Sequence, residues 1–105
     1  MTLPTTYALE DYRAIDSTLA SWSKARNISF EKQAKGYEVR SLWIEGRIQL
    51  WVDAPDIEGF VRVHLAELKP SLLSKWGRSI EWRTTQEDLY DTLDRLWFEG
   101  QQWLS

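Results

Sequence analysis

The sequence contains no cysteine, which excludes disulfides, thiolate metal sites and cysteine nucleophiles while leaving the compartment open. It has no long apolar run, so no membrane-spanning segment is expected. The N-terminus shows no basic stretch followed by an apolar one, so no secretory signal is visible and the cytoplasm is the default location. There is no GxGxxG, Walker loop, HExxH or EF-hand loop, so phosphate cradling and zinc-protease chemistry are unsupported. No internal repeat or low-complexity segment interrupts the chain. Histidine occurs once, at His64, and no nucleophile-elbow glycine pattern accompanies it. A triad of His64, Asp53 and a serine has nothing in the sequence to bring it together. The expected catalytic residues, metal ligands and cofactors are therefore none.

What is present is one domain's length, 105 residues, with 43% hydrophobic and 28% charged residues. The net charge of −3 is unevenly spread. Past residue 84, Glu87, Asp88, Asp91, Asp94 and Glu99 stand against Arg95 alone. Such an end repels phosphate, which argues against nucleic acid, and suits a basic protein partner.

Periodicity gives the elements. Ala8, Tyr12, Ile15, Leu19 and Trp22 share one helical stripe, which predicts a helix over about residues 7–26, capped by Thr5 or Thr6 and stopped at Asn27. A strand is expected at 28–33 and a turn at 34–36. Alternation on both sides of Glu45-Gly46 predicts a hairpin over 37–53 closed by a two-residue turn. That turn pairs Ile44 with Arg47 and Trp43 with Ile48. It assigns Val39, Ser41, Trp43, Ile48, Leu50 and Val52 to the core face. Arg40, Leu42, Ile44, Arg47, Gln49 and Trp51 then fall on the other face, with Glu38 opposite Asp53. A strand over 60–68 turns Val61, Val63 and Leu65 inward, and Phe60, Arg62, His64 and Ala66 outward. A short helix at 71–76, a strand at 79–84 and a capped helix to about Trp103 complete the chain, with Thr84-x-x-Glu87 the better capping box. The expected fold is α+β: an antiparallel meander of four to five strands, an N-terminal and a C-terminal helix packed on one face, and the other face open.

Seven tryptophans must be divided between core and surface. Trp22, Trp43, Trp82 and Trp103 fall on inward stripes. Trp51 falls on the open face with Arg40, Leu42, Arg62 and His64, where it would lie over Arg40 and Arg62 as a cation–π lid or anchor a partner. Phe98 stands exposed on the last helix among Asp91 and Asp94. Opposed like charges destabilise, so Glu38 and Asp53 are a solvated pair or a carboxylate site for acid–base or hard-metal chemistry. Arg40, Arg47, Trp51, Arg62 and His64 would also make a stacking site for single-stranded nucleic acid, against the acidic total.

This profile, a small acidic α+β domain without catalytic residues, resembles the bacterial immunity and inhibitor proteins that block a toxin. The resemblance implies a non-enzymatic cytoplasmic protein that occludes a basic toxin site, with Glu87, Asp91 and Asp94 as acidic contacts. The sequence reading thus places partner binding on Arg40, Leu42, Trp51, Arg62, His64, Glu87, Asp91, Asp94 and Phe98. A homodimer burying the open face is a further expectation, as is a small-ligand or hydrolase-like enzyme using Glu38, Asp53 and His64.

Overall fold

A computed structural model describes residues 11–34, 36–68 and 76–104, and of Trp76 only the backbone. Five strands follow one another as an antiparallel meander: β1 (Glu31–Ala34), β2 (Tyr37–Ile44), β3 (Ile48–Val52), β4 (Phe60–Leu68) and β5 (Trp76–Thr85). Helix α1 (Asp16–Ala25) precedes the sheet and α2 (Leu89–Trp103) follows it, both on one face; among the described residues no helix lies on the other face, and the sheet does not close into a barrel.

Helix α1 is shorter than its stripe predicts. Tyr12 to Ile15 form a turn, in which the Tyr12 carbonyl accepts from Ile15 and Asp16. The core side chains nevertheless keep the stripe: Tyr12, Ile15, Leu19 and Trp22 are all buried. The helix stops where expected. Asn27 takes a left-handed φ of 55°, Ile28 N–H donates to Ser23, and Asn27 N–H donates to Lys24, which is the Schellman arrangement. The expected start at residue 7 and the threonine cap lie outside the described residues. So does the predicted helix at 71–76, except that Trp76 belongs to β5.

The hairpin departs from expectation by one residue, with large consequences. Glu45 and Gly46 both take positive φ, 56° and 70°, and Arg47 N–H closes the turn on the Ile44 carbonyl. Pairing then resumes at Ile48, not Arg47: Ile44 faces Ile48, Trp43 faces Gln49, Leu42 faces Leu50 and Ser41 faces Trp51. Arg47 is the extra residue, and its carbonyl accepts from Leu68 N–H of β4. A shift of one flips every side chain of β2 to the opposite face. Ile44, Leu42 and Arg40 therefore enter the core side, at 3%, 6% and 5% exposure, while Trp43 stands outward at 44%.

The reason is volume and shape. The core face of β3 and β4 is lined by Ile48, Leu50, Val52, Val61, Val63 and Leu65, all essentially inaccessible. Helix α2 crosses this surface at Gly100, where a Cβ would lie only 2.9 Å from Ile44 Cδ1 and 3.4 Å from Leu65 Cδ1. Branched aliphatic residues from β2 fit under so close a helix; an indole at position 43 would not. Leu89, Leu93, Leu96 and Trp103 of α2 complete the core. Ahead of that helix, Thr85 Oγ1 accepts from Asp88 N–H, so the bond falls on the Thr85-x-x-Asp88 frame, not on Thr84-x-x-Glu87.

Candidate functional site

The open sheet face is built by alternation. Every second residue of β3, β4 and β5 points away from the helices: Gln49 and Trp51, then Phe60, Arg62 and His64, then Glu81 and Arg83. Trp51 and His64 are direct cross-strand partners, and their rings stack with centroids 4.6 Å apart and planes 5° from parallel. Histidine, not arginine, therefore covers Trp51. Arg62 instead pairs with Glu81 across the strands at 3.3 Å, and Arg83 lies 3.9 Å over the Phe60 ring.

His64 is held on both nitrogens' sides by carboxylates. Its Nε2 lies 2.8 Å from Asp53 and its Nδ1 3.8 Å from Glu81. The structure thus brings together the Asp53 and His64 that the sequence left apart. The nitrogen that a nucleophile would need faces Glu81. Glu38 and Asp53 are not opposed across the hairpin. Glu38 pairs in register with Gln33, and Asp53 N–H extends the β3–β4 ladder by donating to Arg62.

Both carboxylates nonetheless border one groove of about 480 Å³, where the open face meets the β1–β2 edge and the loop after β3. Trp51 and Val39 line it; Glu31, Glu38, Asp53 and Asp56 supply acid, and Arg62 supplies base. Asp56 also builds its own loop. Its carboxylate accepts from the N–H groups of Glu58 and Phe60 at 2.9 and 3.0 Å. Burial pushes that carboxyl up, but those N–H groups and Arg83 outweigh it and hold it below its ordinary range.

Arg40 also borders the groove, but as a structural anchor. Its guanidinium grips Asp16 of α1 through Nε and Nη2 at 2.8 and 3.1 Å. It donates to the Val39 carbonyl at 2.7 Å and covers the Tyr12 ring at 4.3 Å. The Arg40 hydrogen bond holds the Asp16 carboxyl below its usual range. So Arg40 and Leu42, expected on the open face, belong to the helix side. The predicted cation–π lid of Arg40 over Trp51 is replaced by the histidine stack.

The acidic helix residues divide as well. Asp94 accepts from the Trp22 indole at 3.0 Å and pairs with Arg26, tying α2 to α1. Glu87, Asp91 and Phe98 remain exposed, Phe98 at 64%. They belong to the helix layer and the turn before it, on the opposite side of the sheet from Trp51. The sequence-derived set is therefore two surfaces, a buried pair in Arg40 and Leu42, and Asp94 as a tie between the helices. What sequence reasoning missed is the groove's acidic rim from Glu31 and Asp56, and Trp43 as an outward tryptophan. Asp56 had a signal, since Asp-x-x-Gly marks a turn held by the aspartate. Trp43 had none without the turn length.

Among the described residues, no group of three or more histidine, aspartate or glutamate side chains is arranged to hold a metal ion. No helix among them is long and apolar enough to cross a membrane. Comparison with family models, with curated proteins and with solved structures finds no match for this chain.

Proposed function

We propose that the domain is a non-enzymatic protein-binding module that takes a basic segment of its partner into the acid-rimmed groove beside Trp51. The observation that carries this is a large aromatic pair, Trp51 on His64, placed on a sheet face that no helix covers among the described residues. Trp51 is half-buried on that face, and tryptophan flanked by charge is the usual composition of a binding hot spot. Glu31, Glu38, Asp53 and Asp56 outnumber Arg40 and Arg62 on the rim, with Arg40 3.6 Å from Glu38, so the groove favours cationic side chains. A basic partner surface is also what an immunity-type inhibitor of a toxin would meet, and occlusion of a basic toxin site in the cytoplasm is the specific role proposed. The acidic contacts in this reading come from the groove rim, with Glu87 and Asp91 on a separate surface.

The test compares capture by the wild type, Trp51→Ala and Glu38→Gln. One stoichiometric partner of basic character, lost with Trp51→Ala and weakened by Glu38→Gln and by salt, supports the reading. Capture that survives both substitutions removes it.

A second reading is favoured by one observation, the Asp53–His64 contact at 2.8 Å. In it, Asp53 orients His64 for acid–base work on a small ligand in the groove, with Glu38 as the second carboxylate. Screening generic ester and phosphoester substrates decides it: turnover abolished by His64→Gln with folding unchanged supports the enzyme, and no turnover by the wild type removes it.

A further inference from the structure

Strand β5 is an edge. Among the described residues its only strand neighbour is β4, so its outer backbone groups have no ladder partner. Such edges are normally blunted by proline, bulges or like charges. Here the register shift falls between Ala66 and Leu68, opposite the beginning of β5, and Ser79 to Thr85 then pair without interruption. No proline occurs in the strand, and its exposed charges are mixed in sign: Arg78, Glu81 and Arg83, the last two on the open face.

We propose that β5 pairs antiparallel with β5 of a second copy of this chain, about a two-fold axis through Trp82, joining two five-stranded sheets into one of ten. A two-fold axis normal to the sheet keeps both open faces on one side and requires a residue at its centre. Trp82 is the midpoint of the regular run, so this register uses all of it: Ser79 meets Thr85, Ile80 meets Thr84, Glu81 meets Arg83 and Trp82 meets Trp82. Glu81 then faces Arg83 twice per dimer, and Arg78 falls outside the seven paired positions. Centring on Glu81 or on Arg83 would instead set like charges against each other.

The remaining positions agree. Ser79 and Thr85 form a hydroxyl pair, and no proline blocks a hydrogen bond. Trp82 is 42% exposed although it lies on the helix side, where Arg95 sits 5.6 Å over its ring. A second Trp82 across the axis would cover it. Within one chain Arg83 pairs with Glu58 at 2.8 Å and Glu81 with Arg62 at 3.3 Å, so each would share its charge between that partner and the second copy. Seven paired residues give an interface about 24 Å long with about six to eight backbone hydrogen bonds. This interface uses the sheet edge, so it stands independently of what the open face binds.

Sedimentation of the wild type at roughly 100 µM should show a dimer. Glu81→Arg and Arg83→Glu each set two like-charge pairs in place of two attractive ones and should weaken self-association by at least about tenfold. An equimolar mixture of these two variants should recover the dimer, because positions 81 and 83 of one chain then meet the opposite charge on the other. With no native cysteine, Trp82→Cys should form a disulfide-linked dimer on oxidation, while Ser79→Cys, about 20 Å from its symmetry mate, should not. A monomeric wild type, a dimer indifferent to both charge reversals, or a mixture that stays monomeric overturns the proposal. Should a charge variant fail to fold, the two cysteine variants test the same register: crosslinking at 82 and not at 79 supports it, and crosslinking at 79 and not at 82 overturns it.

Discussion

Substituting Leu42 and Trp43 by alanine, one at a time, separates the observed hairpin register from the one a two-residue turn would give. Leu42 is 6% exposed and faces Leu50 on the core side. Losing its three terminal carbons removes about 2.4 kcal/mol of transfer free energy at ~0.8 kcal/mol per carbon, before any cavity is counted. The site borders a groove with Trp97 and Ile28, so solvent and side chains can relax into part of the gap. A cost of about 2.5–3 kcal/mol follows, at the low end for buried leucine. Trp43 is larger but 44% exposed, on a face with no second layer among the described residues, and its loss should cost about 1 kcal/mol. In a domain of this size 1 kcal/mol moves Tm by roughly 4–8 °C. Leu42→Ala should thus melt about 10–20 °C below the wild type and Trp43→Ala about 5 °C below. Urea titration with an unchanged slope would confirm that the native ensemble is intact. If Trp43→Ala were the more damaging, β2 would have its other face in the core and the account of both faces would fail.

Three further substitutions probe the parts that set this register. Gly100→Ala should lower Tm: overpacking against Ile44 and Leu65, about 1–3 kcal/mol, exceeds the helix-propensity gain of about 1 kcal/mol, and a raised Tm would show that α2 stands off the sheet. Glu45→Asn should raise Tm by a few degrees, because asparagine tolerates the left-handed φ of 56° better than glutamate; no gain would mean that the turn carries no strain. Asp16 is depressed by Arg40, so its contribution is fully present above its ordinary carboxylate pKa and is lost as pH falls through the lower folded value. Asp16→Asn should accordingly destabilise at pH 7 and flatten the acid limb of the stability curve, whereas an unchanged limb would remove the Asp16–Arg40 tie.

The elements were legible in the sequence because alternation and helical stripes survive small errors in position. Leu89, Leu93 and Leu96 specify the face of α2, and Val61, Val63 and Leu65 that of β4, with no tertiary information. The face of β2 was not legible, because it depends on one residue of turn length. Glu45-Gly46 fits a two-residue turn, and the competing demand comes from Leu68, two strands away, which takes the Arg47 carbonyl. Both Trp43 and Leu42 are acceptable strand residues, so composition could not decide between them. For the site, β3 and β4 were read correctly, and Trp51, Arg62 and His64 do share the open face. Their contacts were not readable. Trp51 on His64 needs the β3–β4 register, and Arg40 with Asp16 needs the packing of α1 on β2.

In the proposed complex the partner sits in the groove beside Trp51, and the helix surface bearing Phe98 stays free. Oxidative footprinting of aromatic side chains, with and without the captured partner, measures this directly. Trp51 should become protected in the complex while Phe98, 64% exposed, stays as reactive as in the free protein. Protection of Phe98 with Trp51 unchanged would place the partner on the helix surface instead.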